Sequence, residues 1–170
     1  MLREFGEAYV SSVDDQGLIF EHHYLIKILK TEGLDKANIS IPLRKGDVKT
    51  QRLMSLKASA YNIRNNTIEE TPINLKNVFT EKSNKYWDEK KITIPNVQVG
   101  SIIEVQYVID DPFFYYNFHT WEFQSDIPKI SSEYWATIPG NYIYNITWRG
   151  FLKFTKNESS LVKDCYAPGA

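Results

Sequence analysis

The chain has 170 residues, which is enough to bury a sizeable core, and we expect a single domain over residues 1–170. Hydrophobic residues make up 42% and charged residues 24%, a composition that is typical of globular proteins and excludes a disordered chain. The 20 basic and 21 acidic residues leave a net charge of -1, so we expect no nucleic-acid partner. No apolar run approaches the roughly 20 residues that span a bilayer, and the sequence predicts no membrane span.

The first third of the chain predicts a β-hairpin. Side chains alternate along residues 18–29, where Leu18, Phe20 and Ile26 fall on one face and Glu21 on the other. The preceding segment 14–17, Asp-Asp-Gln-Gly, has the composition of a turn. We therefore expect strands at residues 5–13 and 18–29 to pair as a hairpin.

The middle of the chain predicts further strands and one irregular stretch. Strands are expected at residues 38–43 and 52–62, and Asn65-Asn66 is expected to turn the chain afterwards. Residues 73–91 show the least regular pattern, so we predict a loop or a short helix there before alternation resumes at residue 92.

The last third continues the strand pattern. Ile103, Val105, Tyr107 and Ile109 share one predicted strand face, and Pro112 ends that strand. Further strands are expected at residues 132–138, 142–148 and 151–155. Many short strands without a sustained helix favour an all-β fold, an antiparallel two-sheet β-sandwich.

The side chains that could support catalysis do not form a recognisable constellation. Cys165 is the single cysteine, and its neighbours offer no base or cation that would form a thiolate. His22 and His23 are adjacent on a strand and should point to opposite faces, which argues against a shared metal. Several carboxylates could be paired for acid/base chemistry, but we interpret them as solvated or salt-bridged: Glu104, Asp110, Asp111, Glu122 and Asp126. We therefore expect no catalytic residue, metal or cofactor.

An aromatic segment at residues 113–123 is the best candidate for a binding surface. Exposed rings stack on sugars or anchor partner chains at low entropic cost. Core packing is the competing interpretation, because alternation would bury some of these rings. We take Tyr115, Tyr116, Phe118 and Trp121 as the candidate surface for a ligand or a partner protein.

Four blocks of sequence between residues 5 and 139 carry a family resemblance. They are Tyr24-Leu25-Ile26-Lys27-Ile28-Leu29 with Gly33, the segment 56–60 (Leu-Lys-Ala-Ser-Ala), the segment 94–104 (Ile-Pro-Asn-Val-Gln-Val-Gly-Ser-Ile-Ile-Glu), and Trp121-Glu122-Phe123-Gln124 with Pro128. With these blocks the chain resembles the domain of unknown function that lies N-terminal to transglutaminase-like domains in bacterial envelope proteins. The third block is the most specific of the four.

The resemblance carries expectations about context. It implies that the catalytic Cys-His-Asp set belongs to a following transglutaminase-like domain, and that Pro95, Gly100 and Trp121 define the fold. It also implies export to the periplasm or the cell surface. The predicted strand at the start of the chain and the linker-like segment 167–170 lead us to expect a piece of a longer protein. An accessory domain for the neighbouring enzyme and an independent glycan- or peptide-binding module both remain open.

Overall fold

The computed structural model describes residues 1–10, 17–113, 118–140 and 142–163. These residues form nine β-strands and two 3-10 turns, the turns at Thr31–Ala37 and Leu75–Asn77. The strands are β1 (Arg3–Val10), β2 (Leu18–Lys27), β3 (Asn38–Arg44), β4 (Arg52–Arg64), β5 (Thr67–Pro72), β6 (Phe79–Lys82), β7 (Trp87–Thr93), β8 (Ile102–Asp111) and β9 (Ser132–Thr137). The predicted all-β fold with two sheets is confirmed.

The large sheet has six strands in the order β5-β4-β8-β2-β1-β9, and the small sheet has three in the order β3-β7-β6. The predicted hairpin forms, since β1 pairs antiparallel with β2 from Arg3 opposite Leu25 to Val10 opposite Leu18. The strand β9 runs parallel to β1 at the sheet edge. This parallel pairing brings Glu4 beside Ser132, which is 128 residues later in the sequence.

One hydrophobic core joins the two sheets. The predicted face of β8 is buried, because Ile103 and Val105 are fully inaccessible to solvent. On β3 the residues alternate between a buried and an exposed position, as expected for a strand with one face on the core. The core residues come from both sheets: Ala8, Leu18, Phe20, Ile26, Leu56, Ala58, Ala60, Ile103, Val105 and Ile109 from the large one, and Ile39, Ile41, Leu43 and Ile92 from the small one.

The most specific block of the family resemblance forms the turn that leads into β8. Gly100 has a φ of 97°, a conformation that favours glycine, and its N–H donates a hydrogen bond to the carbonyl oxygen of Ile28 at 2.8 Å. The hydroxyl of Ser101 accepts from the backbone N–H of Gln98 at 2.9 Å and donates to Asn62. The turn is thus fixed by hydrogen bonds to β4 and to the end of β2.

Residues 73–91 contain more regular structure than we predicted. The expected helical turn is the 3-10 turn at Leu75–Asn77, but the charged segment after it forms β6 and the first part of β7. Charged residues are tolerated there because β6 is exposed and residues 88–91 of β7 are only partly covered. Lys91 also forms a 2.7 Å ion pair with Glu81 across the β6–β7 pair.

The strands predicted at residues 142–148 and 151–155 are wrong, since no strand is assigned in the described residues after β9. Alternation of apolar and polar side chains indicates only which face of a segment would be buried if the segment joined a sheet. A strand also needs a neighbouring strand to which it can hydrogen bond. Instead, this segment presents Ile143 and Phe151 to solvent.

None of the helices in the described residues has the length and apolar character needed to cross a membrane.

Candidate functional site

Trp121, one of the predicted surface residues, packs flat against the large sheet. Its indole stacks on Tyr134 of β9 with ring centroids 5.2 Å apart and an interplanar angle of 11°. Its Nε1 donates a hydrogen bond to the hydroxyl of Ser132 at 3.1 Å. The ring also covers Gly6 of β1, where a Cβ would come within 2.7 Å of Cε3. Trp121 is therefore partly buried by the sheet and acts as a packing residue.

Two further rings of the aromatic segment, Phe118 and Phe123, contact the chain that follows β9. Phe118 meets Tyr144 edge-on at a centroid distance of 5.1 Å, and Phe123 meets Phe154 at 5.0 Å. Both phenylalanines are partly buried. Tyr115 and Tyr116 lie outside the described residues. For Phe118 and Trp121, packing against other rings explains the position of the side chain.

A polar cluster lies next to Trp121 on the same face of the sheet. Glu4 of β1 is its centre: Oε1 lies 3.3 Å from Nε2 of His22, and Oε2 accepts hydrogen bonds from Lys129 at 2.5 Å and Ser132 at 2.9 Å. Lys129 also donates to the carbonyl oxygen of Glu122 at 2.5 Å. The side chains of Lys129 and Glu4 are only 6% and 8% exposed, so this is a buried ion pair.

The electrostatics of Glu4 follow from these contacts. Burial alone would raise its pKa, but the hydrogen bonds from His22, Lys129 and Ser132, together with the charge of Lys129, hold the pKa below its ordinary value. Glu4 was not among the predicted site residues. The sequence contained an indication that Glu4 is buried. On β1, Glu4 shares a strand face with Gly6 and Ala8, and this face is buried in the structure.

The chain of groups Glu4, His22 and Tyr107 has the order of a proton relay. Nδ1 of His22 shares a 2.8 Å hydrogen bond with the hydroxyl of Tyr107, and Nε2 faces the carboxylate. Burial raises the pKa of Tyr107, so its phenol stays neutral near pH 7.

Packing limits what this relay can do. Phe20, Tyr24, Tyr107 and Trp121 surround the imidazole with ring centroids 5.0 to 5.9 Å away. Within the described part of the chain, every buried side-chain nitrogen and oxygen has a hydrogen-bond partner. Glu4, His22 and Tyr107 are thus hydrogen bonded to one another, and the surrounding rings hold the imidazole in place.

The remaining histidines are held separately. His23 points to the opposite face from His22 and contacts Glu104 at 2.7 Å, which fits the expected alternation. His119 stacks on Phe20 with centroids 3.4 Å apart, and burial lowers its pKa. Among the described residues no three histidine, cysteine or acidic side chains converge on a point where a metal could bind. Cys165 lies outside the described residues.

The acidic side chains that were weighed for paired acid/base chemistry have other partners. Asp110 is buried rather than solvated and receives two hydrogen bonds from Arg52, at 3.1 and 2.5 Å, while Asp111 accepts from Gln51 at 2.6 Å. Glu104 accepts from Tyr61 at 2.8 Å in addition to His23, and this bond raises the pKa of Tyr61 to about 12. Asp126 pairs with Lys36 at 2.8 Å, and Glu122 is exposed. The structure places these groups in strand-end and surface contacts.

The fold and these contacts define a β-sandwich domain with a packed aromatic and polar cluster. The chain belongs to the family DUF3857, a domain of unknown function with a solved structure, whose model matches residues 14–163.

Among solved structures, the chain is similar to a protein from Parabacteroides distasonis ATCC 8503 that is described as a putative protease. The two share 14% identity and a TM-score of 0.46 over 66% of this chain. The chain spans 23% of the length of that protein. No curated protein matches the chain.

Proposed function

We propose that this domain is a non-catalytic accessory or interaction domain that accompanies a transglutaminase-like domain of the cysteine peptidase type. Membership of the family supports the proposal, together with the four blocks that resemble the domain found before transglutaminase-like domains. The partner would lie in the same full-length chain. In this role the domain docks against the neighbouring enzyme or presents substrate to it.

The observation that carries the interaction role is the exposure of apolar side chains after β9. Ile143 is 96% exposed, Leu152 is 77% exposed, and Phe151 is fully exposed. These residues lie inside the segment that the family model matches, so they belong to the domain itself. Exposed apolar side chains that occur close together in a folded domain are typical of surfaces that contact another protein. Residues 143–152 are therefore the proposed docking segment.

Expression of the full-length gene product with and without this domain tests the proposal. Removal of the domain is expected to lower the thermal stability or the turnover of the neighbouring enzyme. In the intact protein, Phe151→Ser combined with Ile143→Ser should reproduce part of that loss. Ile63→Ser is the matched control, because Ile63 is an aliphatic residue of β4 that is 77% exposed. Unchanged stability and turnover after deletion would remove the accessory role.

The absence of a catalytic centre is part of the same proposal. The enclosure of His22 by four rings supports it, as does the engagement of Glu104, Asp110 and Asp111 in hydrogen bonds. A Cys165→Ser variant of the isolated domain should behave like the wild type in peptidase and acyl-transfer assays. A cysteine-dependent activity of the isolated domain would contradict the proposal.

We also propose a location in the periplasm or at the cell surface, which the family resemblance implies. Sequencing of the gene on both sides of this segment provides a direct test. A signal peptide before the segment and a Cys-His-Asp domain after it would support both the location and the partner. Cell fractionation of the tagged full-length protein would then measure the location itself, and recovery in the cytoplasm would refute it.

A second candidate function is an independent glycan- or peptide-binding module that uses the aromatic segment 113–123. Phe118 and Trp121 are partly buried against other rings, which weakens their part in such a surface. Phe113, the first residue of the segment, favours this candidate because it lines a surface cleft.

A further inference from the structure

A cleft of about 460 Å³ lies at one end of the small sheet. The cross-strand pair Arg44 and Trp87 marks this end, where β3 leaves the sheet and β7 enters it. The backbone N–H of Lys45 donates to the carbonyl oxygen of Tyr86 at 2.7 Å, which ties the two walls together. The residues that line the cleft are Arg44, Lys45, Gly46, Asp47, Tyr86, Trp87 and Phe113.

Three aromatic rings line the cleft. Tyr86 and Trp87 are 59% and 40% exposed, although neither belongs to the predicted aromatic segment. Phe113 is held against Gly46, where an added Cβ would lie 3.0 Å from the ring. Flat rings of this kind fit the C–H faces of a sugar.

Among the charged side chains that line the cleft, Arg44 and Asp47 have no ion pair within the described residues, whereas Lys45 has one. Lys45 is neutralised by Asp88, with Nζ and Oδ1 2.6 Å apart. The guanidinium of Arg44 instead lies 4.8 Å from the centroid of the Phe113 ring, and within the described residues it has no ion pair. An exposed arginine beside an aromatic surface is suited to bind a carboxylate with two parallel hydrogen bonds.

We propose that this cleft binds an acidic saccharide, with a uronate carboxylate on Arg44 and the sugar ring on Trp87 and Tyr86. Asp47 supplies a carboxylate that accepts hydrogen bonds from sugar hydroxyls. The proposal deepens the second candidate function and rests on it. It does not depend on the accessory role, which deletion in the full-length protein tests separately.

Titration of the whole chain with tri-galacturonate tests the proposal by calorimetry and by tryptophan fluorescence. Binding is expected, and the uncharged trisaccharide of galactose should bind at least about tenfold more weakly because it lacks the carboxylates. Arg44→Gln should weaken tri-galacturonate binding by about tenfold or more, and Tyr86→Ser should also weaken it. Arg64→Gln is the matched control, since Arg64 is an exposed arginine at the far end of β4 on the other sheet.

Circular dichroism of each variant checks that the fold is intact, so that a loss of binding reports on the cleft. Absence of any heat or fluorescence change at millimolar tri-galacturonate would overturn the proposal. Equal binding of the neutral sugar, or an Arg44→Gln variant that binds like the wild type, would do the same. A tri-glutamate peptide that binds as tightly as the acidic sugar would show that the cleft recognises acidic peptides instead.

Discussion

Gly6 and Trp121 are packed so closely that the strand position tolerates no side chain. Gly6 lies on the inner face of β1, opposite His22 of β2 and beside Tyr134 of β9. The indole of Trp121 occupies the volume above it, and a Cβ would come within 2.7 Å of three ring carbons. Glycine normally weakens a strand. Here its lack of a side chain allows the indole of Trp121 to lie against the sheet.

Gly6→Ala is expected to destabilise the domain by about 1–3 kcal/mol, because the added methyl group overpacks the contact with the indole. Urea denaturation followed by circular dichroism measures the change. Gly140→Ala is the control: a Cβ there meets no described atom within 4 Å, and the free energy of unfolding should change by less than about 0.5 kcal/mol. In a Trp121→Leu background, Gly6→Ala should lower the free energy of unfolding by less than it does in the wild type. Equal costs in the two backgrounds would show that the indole is not the obstacle.

The buried pair of Glu4 and Lys129 yields a second prediction. Glu4→Gln leaves the ammonium of Lys129 buried without a carboxylate, so the free energy of unfolding should fall by about 3 kcal/mol. Lys129→Met should lower the free energy of unfolding by a smaller amount, because Glu4 keeps its hydrogen bonds to His22 and Ser132. The Glu4→Gln/Lys129→Met double variant should lose less free energy of unfolding than the two single variants lose together.

Surface exposure supplies the control for this pair. Lys36 and Asp126 form an ion pair of similar length, 2.8 Å, but their side chains are 30% and 71% exposed. Asp126→Asn should therefore have a far smaller effect than Glu4→Gln in the same denaturation experiment. Comparable effects at the two sites would contradict a special role for the buried pair.

The contacts around Glu4 explain why this part of the site was not predicted. Lys129 and Ser132 are 125 and 128 residues away from Glu4 in the sequence, and the parallel pairing of β9 with β1 brings them together. Local alternation contains no information on which distant strands become neighbours. By contrast, the pairing of β1 with β2 was predictable because two alternating segments and a stretch of turn-like composition are consecutive in the chain, although residues 11–16 lie outside the described residues.

The small sheet shows a second limit of pattern reasoning. On β7, Ile92 is buried, whereas the charged residues 88–91 are only partly covered, so there is no alternation to detect. The strand forms because β3 on one side contributes Ile39, Ile41 and Leu43 to the core, and β6 on the other side adds an ion pair between Glu81 and Lys91. The cleft was missed for a related reason: Arg44, Trp87 and Phe113 are far apart in the sequence and meet only after both sheets have formed.

The pH dependence of stability gives a third prediction, centred on His119. Burial against Phe20 lowers its pKa below the ordinary 6.5, so the folded protein favours the neutral ring. Its contribution to stability is complete above pH 6.5 and is lost as the pH falls through the lowered pKa of the folded state. Glu4 acts at more acidic pH: its lowered pKa stabilises the fold above pH 4.5, and this contribution is lost on further acidification.

Urea midpoints measured at a series of pH values separate the two groups. His119→Phe keeps a ring on Phe20 but removes the titration, so the decline that begins below pH 6.5 should become shallower. Glu4→Gln should leave that region unchanged and flatten the profile below pH 4.5. A His119→Phe profile that is parallel to the wild type would show that His119 is not the source of the acid sensitivity in this range.

The turn between β4 and β5 provides a last prediction, in which the variant should be more stable than the wild type. Asn65 and Asn66 connect a two-residue hairpin, and both have positive φ values, of 51° and 58°. This is the geometry of a type I′ turn, in which glycine is preferred at the second position because it adopts positive φ without steric cost. Asn66→Gly should raise the free energy of unfolding by about 0.5 kcal/mol, because glycine relieves the steric penalty of a positive φ. The increase is small because glycine also raises the conformational entropy of the unfolded chain. Asn66→Ala should lower it by about 1 kcal/mol, since alanine has the steric penalty without the local hydrogen bonding of asparagine. Thermal denaturation of both variants measures the difference, and an alanine variant as stable as the glycine variant would contradict a left-handed conformation at residue 66.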